Sequence, residues 1–205
     1  MKLIRGIGEL VGIVPVGVQR KQGAEMDEVI SIKDAFLSIE DGLIKDFGPK
    51  SECPAPADGD EVIDAGGGMV MPAFCDSHTH ICYAGSRDQE FIDKINGLSY
   101  EEIAARGGGI LNSADLLHRT SEEDLYRQTM ERVDEMVSKG TGAIEIKSGY
   151  GLTTEDELKM LRVICRIKGS SPALIKATFL GAHAVPEEYK GDREAYIRLL
   201  CDEVI

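Results

Sequence analysis

Past Gly68 the chain begins to alternate between apolar runs of strand length and stretches of helical periodicity, and this limits the folds open to it. The apolar runs are Met69–Cys75, Ala143–Lys147 and Leu174–Leu180. Met69–Cys75 reads as a buried strand. Between the runs, Ser99-Tyr100-Glu101-Glu102 has the form of a capping box opening a short helix. Ser121 opens a longer helix that carries Leu125, Met130, Val133, Met136 and Val137 at helical spacing and ends before Gly140. Thr154-Glu155-Asp156-Glu157 caps the next, with Leu158, Leu161, Val163, Ile164 and Ile167 as its apolar positions, and a last helix begins near Asp192. Strand–helix alternation of this kind predicts parallel strands joined by right-handed crossovers. Both a parallel barrel and an open doubly wound sheet satisfy it, and both gather their chemistry at the C-terminal edge of the strands. A closed barrel takes about 250 residues. Met69–Ile205 has room for three strand–helix units and stops inside an apparent helix, so the expectation is the first half of a longer protein.

Residues 1–66 read differently, as short strands and turns. Ala35–Glu40 alternates in polarity, Asp41-Gly42 is a turn signal, and Leu43–Gly48 resumes, which is a hairpin pattern. Glu61–Asp64 is a further short strand, the polar stretch Gly17–Asp34 reads as a loop, and Ala65–Gly68 is a flexible junction.

The chemistry-bearing residues follow the three apolar runs. Asp76-Ser77-His78-Thr79-His80 follows the first. Side chains alternate along a strand, so His78 and His80 face the same way and can hold a divalent metal, against the plainer reading of two hydrogen-bonded strand-end histidines. Cys82 shares their parity, although a free cysteine is usually a small buried hydrophobe. His118, in a polar helical stretch, reads as a surface residue. Arg87 suits an acidic substrate by its fork of donors, or else forms an ordinary surface ion pair. Tyr150, between two glycines at the end of the second run, offers a ring and a hydroxyl, and His183 stands past the third. Arg106–Ile110 lacks the lysine and the strand-before, helix-after setting of a phosphate loop and reads as a hinge.

The formal net charge of −13 argues against nucleic acid and anionic membrane surfaces as partners. Five cysteines, an odd number with no C-x-x-C spacing, read as reduced thiols of a cytoplasmic protein.

Two longer runs, Lys147-Ser148-Gly149-Tyr150-Gly151-Leu152 within Glu145–Leu152 and Phe179-Leu180-Gly181-Ala182-His183-Ala184-Val185-Pro186 within Thr178–Pro186, are far more specific than H-x-H. Gly85-Ser86-Arg87, Gly107-Gly108-Gly109-Ile110, Glu157-Leu158-Lys159-Met160-Leu161-Arg162 and the Asp41–Gly48 hairpin accompany them. With Asp76–His80 they resemble the imidazolonepropionase family of the metal-dependent amidohydrolase superfamily. The resemblance implies an α/β fold: the first three units of a (β/α)8 TIM-type barrel over residues 67–205, preceded by part of a small β-sandwich domain over residues 1–66. It implies hydrolysis of the cyclic amide 4-imidazolone-5-propanoate to N-formimidoyl-L-glutamate in histidine degradation. His78 and His80 would be ligands of one zinc or iron ion. Arg87, Tyr150 and His183 would hold the small anionic substrate, with His183 also the catalytic hydrogen-bond donor to the ring carbonyl. The family's remaining metal ligands fall beyond residue 205. A homodimer is left open, as are three rivals: another cyclic-amide hydrolase or deaminase on this fold, a non-catalytic half-enzyme that binds a metal or partner, and an α/β domain with structural histidines.

Overall fold

The computed structural model describes residues 1–106 and 108–204. The chain forms two compact units, Met1–Pro72 and Ala73–Ile205. The first is a five-stranded sheet made of β1 (Lys2–Ile13), β2 (Ile30–Glu40), β3 (Leu43–Pro49), β4 (Glu61–Asp64) and β5 (Met69–Val70). β2 runs antiparallel to both β1 and β3, while β4 and β5 lie parallel to successive parts of β1. The expected hairpin is present, with Glu40 opposite Leu43 and Ser38 opposite Asp46. Asp41 and Gly42 both take positive φ, 51° and 78°, the pairing that matches a two-residue turn to the twist of its strands. Leu3, Ile7, Leu10, Ala35, Phe36 and Leu37 are buried on this sheet.

Two expectations fail here. The stretch read as a loop to Asp34 is already strand from Ile30, because Ile30 and Ile32 pair with Ile13 and Leu10 of β1. The polar residues between them stay wet, and Ser31 donates to Glu9 Oε1 at 2.6 Å. The buried strand expected over Met69–Cys75 does not form either. Met69 and Val70 complete the first sheet, and a separate strand, β6 (Phe74–Thr79), opens the second unit. Pro72 lies in the gap; it has no N–H to give a ladder. Met69, Met71 and Phe74 are 61%, 49% and 58% exposed, and Cys75 is exposed as well.

The second unit continues with α1 (Asp88–Ile95), α2 (Tyr100–Ala105), α3 (Ile110–Arg119), α4 (Glu122–Ser138), β7 (Thr141–Lys147), α5 (Thr154–Ser170), β8 (Leu174–Thr178) and α6 (Arg193–Leu199). β6, β7 and β8 form a parallel sheet in that order, so this unit is α/β as expected. Ile144 and Ile146 of β7 and Ile175 of β8 meet Leu125 and Val133 of α4 and Met160, Val163, Ile164 and Ile167 of α5 in one buried cluster. Leu158, expected on that apolar face, is 41% exposed and Met160 lies in the core instead. Helix starts follow local side-chain chemistry. Ser121 Oγ accepts from Asp124 N–H, Ser99 and Glu102 close the expected capping box, and Asp192 caps α6. α5 is capped by Thr153, one residue earlier than expected. Among the described residues no helix is long and apolar enough to cross a membrane.

Asp156 ties two helices together. Its carboxylate, 4% exposed, meets Lys159 Nζ at 2.8 Å, His118 Nδ1 at 2.8 Å and Thr153 Oγ1 at 3.1 Å. Lys159 Nζ also donates to the carbonyl of Leu117, at the end of α3, at 2.7 Å. Burial pushes the Asp156 carboxyl up, but Lys159, His118 and Thr153 outweigh it and hold it below the ordinary aspartate range. A group with a depressed folded-state pKa stabilises the fold above its unfolded value, and this stability is lost as pH falls through the folded value. We expect the urea midpoint to drop below about pH 4, the aspartate range, and Asp156→Asn to flatten that part of the profile. An unchanged acid limb in the variant would show that other carboxylates govern it.

Candidate active site

Thr79 fixes the rim of the sheet. It is buried at the end of β6, donates its hydroxyl to the Glu145 carbonyl of β7 at 2.6 Å, and sends its N–H towards Glu145 Oε2 at 3.4 Å. His78 and His80 flank it and turn to one side, with ring centroids 5.4 Å apart. His183 lies in the short 3-10 turn after β8, and its ring is 4.9 Å from that of His80. Tyr150, in the loop after β7, stands 5.8 Å from His80 and 5.7 Å from His183, edge-on to the latter. Three strands thus deliver four rings to one edge. Beneath them Lys147 and Glu145 form an ion pair only 12% and 13% exposed, on the face of β7 opposite Ile144 and Ile146.

His80 Nδ1 is buried and, among the described residues, has no hydrogen-bond partner. Burial lowers the pKa of the His80 ring, and neighbouring His183 and His78 lower it further, which favours the neutral imidazole. A neutral ring with an orphaned buried nitrogen beside a second imidazole is the chemistry a metal ligand requires. The residues present therefore fit part of a metal site. Among the described residues no group of three or more His, Cys, Asp or Glu side chains is arranged to hold an ion.

Arg87 lies on the segment after the histidine pair. Its Nε donates to Glu90 Oε2 at 2.8 Å, and Nη2 reaches the same oxygen. The guanidinium side remains 43% exposed while Glu90 is 10% exposed. The hydrogen bond that Arg87 donates to Glu90 raises the Arg87 pKa above its usual value, burial opposes it, and the charge of Glu90 adds to it. Glu90 Oε1 accepts the Gly109 N–H at 2.8 Å, so one carboxylate ties Arg87 to the start of α3. Of the glycine-rich run Arg106–Ile110, read from the sequence as a hinge, Gly107 lies outside the described residues.

Cys82 and His118 are not at the rim. Cys82 is fully buried in the α/β core and burial pushes its thiol up to about 12. His118 is exposed and bonds Asp156. Three supports were not foreseen: Glu90, Glu157 and Arg132. Arg132 of α4 donates to the carbonyls of Ile81 and Tyr83 at 3.0 and 2.9 Å and stacks 3.6 Å over the Tyr83 ring, clamping the turn between His80 and Arg87. Each of the three is a charged residue on a helix, where the sequence alone suggests a solvated face.

A model of the amidohydrolase family matches residues 61–106. Imidazolonepropionases from Flavobacterium psychrophilum and Flavobacterium johnsoniae are each 55% identical over 203 residues, 99% of this chain and 49% and 48% of theirs. Over nearly its whole length the chain is thus similar to imidazolonepropionases. It spans about half the length of the curated relatives it matches. Among solved structures, an uncharacterized metal-dependent hydrolase from Pyrococcus furiosus superposes with a TM-score of 0.53 at 15% identity, over 87% of this chain and 50% of that one. At that identity the likeness concerns the fold: an amidohydrolase fold with parallel strands.

Proposed function

We propose that this chain carries the first part of an imidazolonepropionase active site, hydrolysing 4-imidazolone-5-propanoate to N-formimidoyl-L-glutamate. Whole-chain identity to that family supports the reading, and the observation that carries it is the convergence of His78, His80, His183 and Tyr150 after three parallel strands. In this reading β6, β7 and β8 are the first strands of a (β/α)8 barrel, and the five-stranded sheet is part of a small β-sandwich domain. His78 and His80 hold one metal ion, zinc or iron. When bound, such an ion supplies Lewis acidity and acidifies the attacking water.

The remaining roles belong to the chain's own groups. The substrate propionate sits on the guanidinium of Arg87, whose orientation Glu90 fixes through Nε and Nη2. His183 donates a hydrogen bond to the ring carbonyl oxygen, where negative charge grows as water adds. Tyr150 closes the site over the ring beside His80 and His183. Water oxygen bonds to the carbonyl carbon, the ring C–N bond breaks, and the departing nitrogen takes up the proton, leaving a carboxylate and a formimidoyl group. The setting is cytoplasmic, and a homodimer is the proposed assembly, without nucleic acid or membrane as partners.

The test is turnover by the complete gene product. Imidazolonepropionate should be consumed at least about 100-fold faster, as kcat/KM, than hydantoin or dihydroorotate, because a site built for a propionate loses its charge-assisted contact with the others. Equal or reversed preference would assign the chain to a different cyclic-amide hydrolase.

A further inference from the structure

We propose that Glu157 is a positioning residue: it holds the loop from Ser148 to Leu152 so that the Tyr150 ring stands against His80 and His183. The substrate side of this inference rests on the reading of Tyr150 as a substrate contact; the structural side stands without it.

Glu157 lies in the first turn of α5 and is 2% exposed. A buried carboxylate is costly unless donors surround it. Here the donors are backbone: Gly149 N–H reaches its two oxygens at 3.1 and 3.0 Å, Gly151 N–H reaches Oε1 at 2.7 Å, and Leu152 N–H reaches Oε1 at 3.3 Å. Three backbone N–H groups of the loop therefore converge on one side chain, and Tyr150 lies between the first two of them.

The loop conformation needs such a tether. Leu152 has φ +57°, a left-handed value that strains a non-glycine residue. Gly149 has φ +112°, and a Cβ there would lie 2.9 Å from both the His183 Cβ and the Leu180 carbonyl oxygen. At Gly151 a Cβ would lie 2.4 Å from the Glu157 nitrogen. The loop is thus pressed against α5 on one side and the His183 turn on the other. Ser148 closes the second contact, taking its N–H to the Thr178 carbonyl at 3.0 Å and accepting the Leu180 N–H on its hydroxyl at 2.9 Å. Without the carboxylate, three buried N–H groups lose their acceptor, and the cheapest relief is to rotate the peptides on either side of Tyr150 towards water.

The experiment uses the complete gene product with 3-fluorotyrosine incorporated and the Tyr150 resonance assigned by its loss in Tyr150→Phe. Glu157→Met keeps the length of the side chain and removes every acceptor. Glu157→Gln keeps one oxygen for the shorter contacts, and it carries the test should Glu157→Met fail to fold. We expect the ligand-free Tyr150 resonance to shift or broaden in both variants. Exchange of the Gly149 and Gly151 amides should rise about tenfold in Glu157→Gln and about 100-fold in Glu157→Met, as acceptors of about 1.4 and 2.7 kcal/mol are lost, while α4 amides stay unchanged. KM for imidazolonepropionate should rise about tenfold with kcat falling less. In a Tyr150→Phe background that KM effect should shrink below about twofold, since residues acting through one another are not additive. An unmoved resonance, unchanged loop exchange, or KM effects that simply multiply would overturn the proposal. If the unaltered protein turns over no imidazolonepropionate, the functional reading falls, and the resonance and exchange still judge Glu157.

Discussion

His80→Ala in the complete gene product is expected to abolish turnover, by on the order of 1,000-fold or more, and to reduce bound transition metal to a small fraction of an equivalent. The size follows from what a bound ion does to water, whose pKa falls from about 15.7 to about 7. The location follows from the chain itself: His80 is the ring at the centre of the cluster, with neighbours at 5.4, 5.8 and 4.9 Å, and its Nδ1 is buried without a partner among the described residues. Removing it should relieve a buried unsatisfied group, so the melting temperature of the metal-free protein should hold or rise. Metal analysis and calorimetry on the same preparation separate the two effects. Undiminished metal content would mean that the histidines are structural.

Arg87→Met should raise KM for imidazolonepropionate by about 10- to 100-fold, the worth of a charge-assisted hydrogen-bonded contact, and leave kcat within a few-fold. The variant carries a second cost, because Glu90 loses its cation while 10% exposed. Some loss of thermal stability is therefore expected, and kinetics should be measured well below the transition. An analogue with the propionate replaced by its amide distinguishes the effects: it should bind the native protein and the variant alike. An unchanged KM for the acid would return Arg87 to the role of a surface ion pair.

What the sequence discloses here is local chemistry. The Asp41-Gly42 turn, the Ser99 and Ser121 caps and the strand-end histidines all rest on interactions within a few residues, and each is recovered in the structure. What it conceals depends on distant partners. Met69–Cys75 is continuous in hydrophobicity, and only the pairing of Met69 with Glu9 of β1, and of Phe74 with Thr141 of β7, shows that two sheets divide it. No element was expected between Arg87 and Ser99, yet α1 forms there, its Phe91, Ile92 and Ile95 left exposed. Within the site, the rings were legible as chemistry. Their supports were not: Glu157 reads as part of a helix cap until the loop that bends back to it is known.

The burial of Cys82 has one more consequence. Only a thiolate attacks oxidants and electrophiles, and a thiol whose pKa stands near 12 supplies almost none at neutral pH. The residue two positions past His80 is thereby kept out of sulfur redox chemistry, and oxidative damage falls first on Cys75, Cys165 and Cys201, which face water.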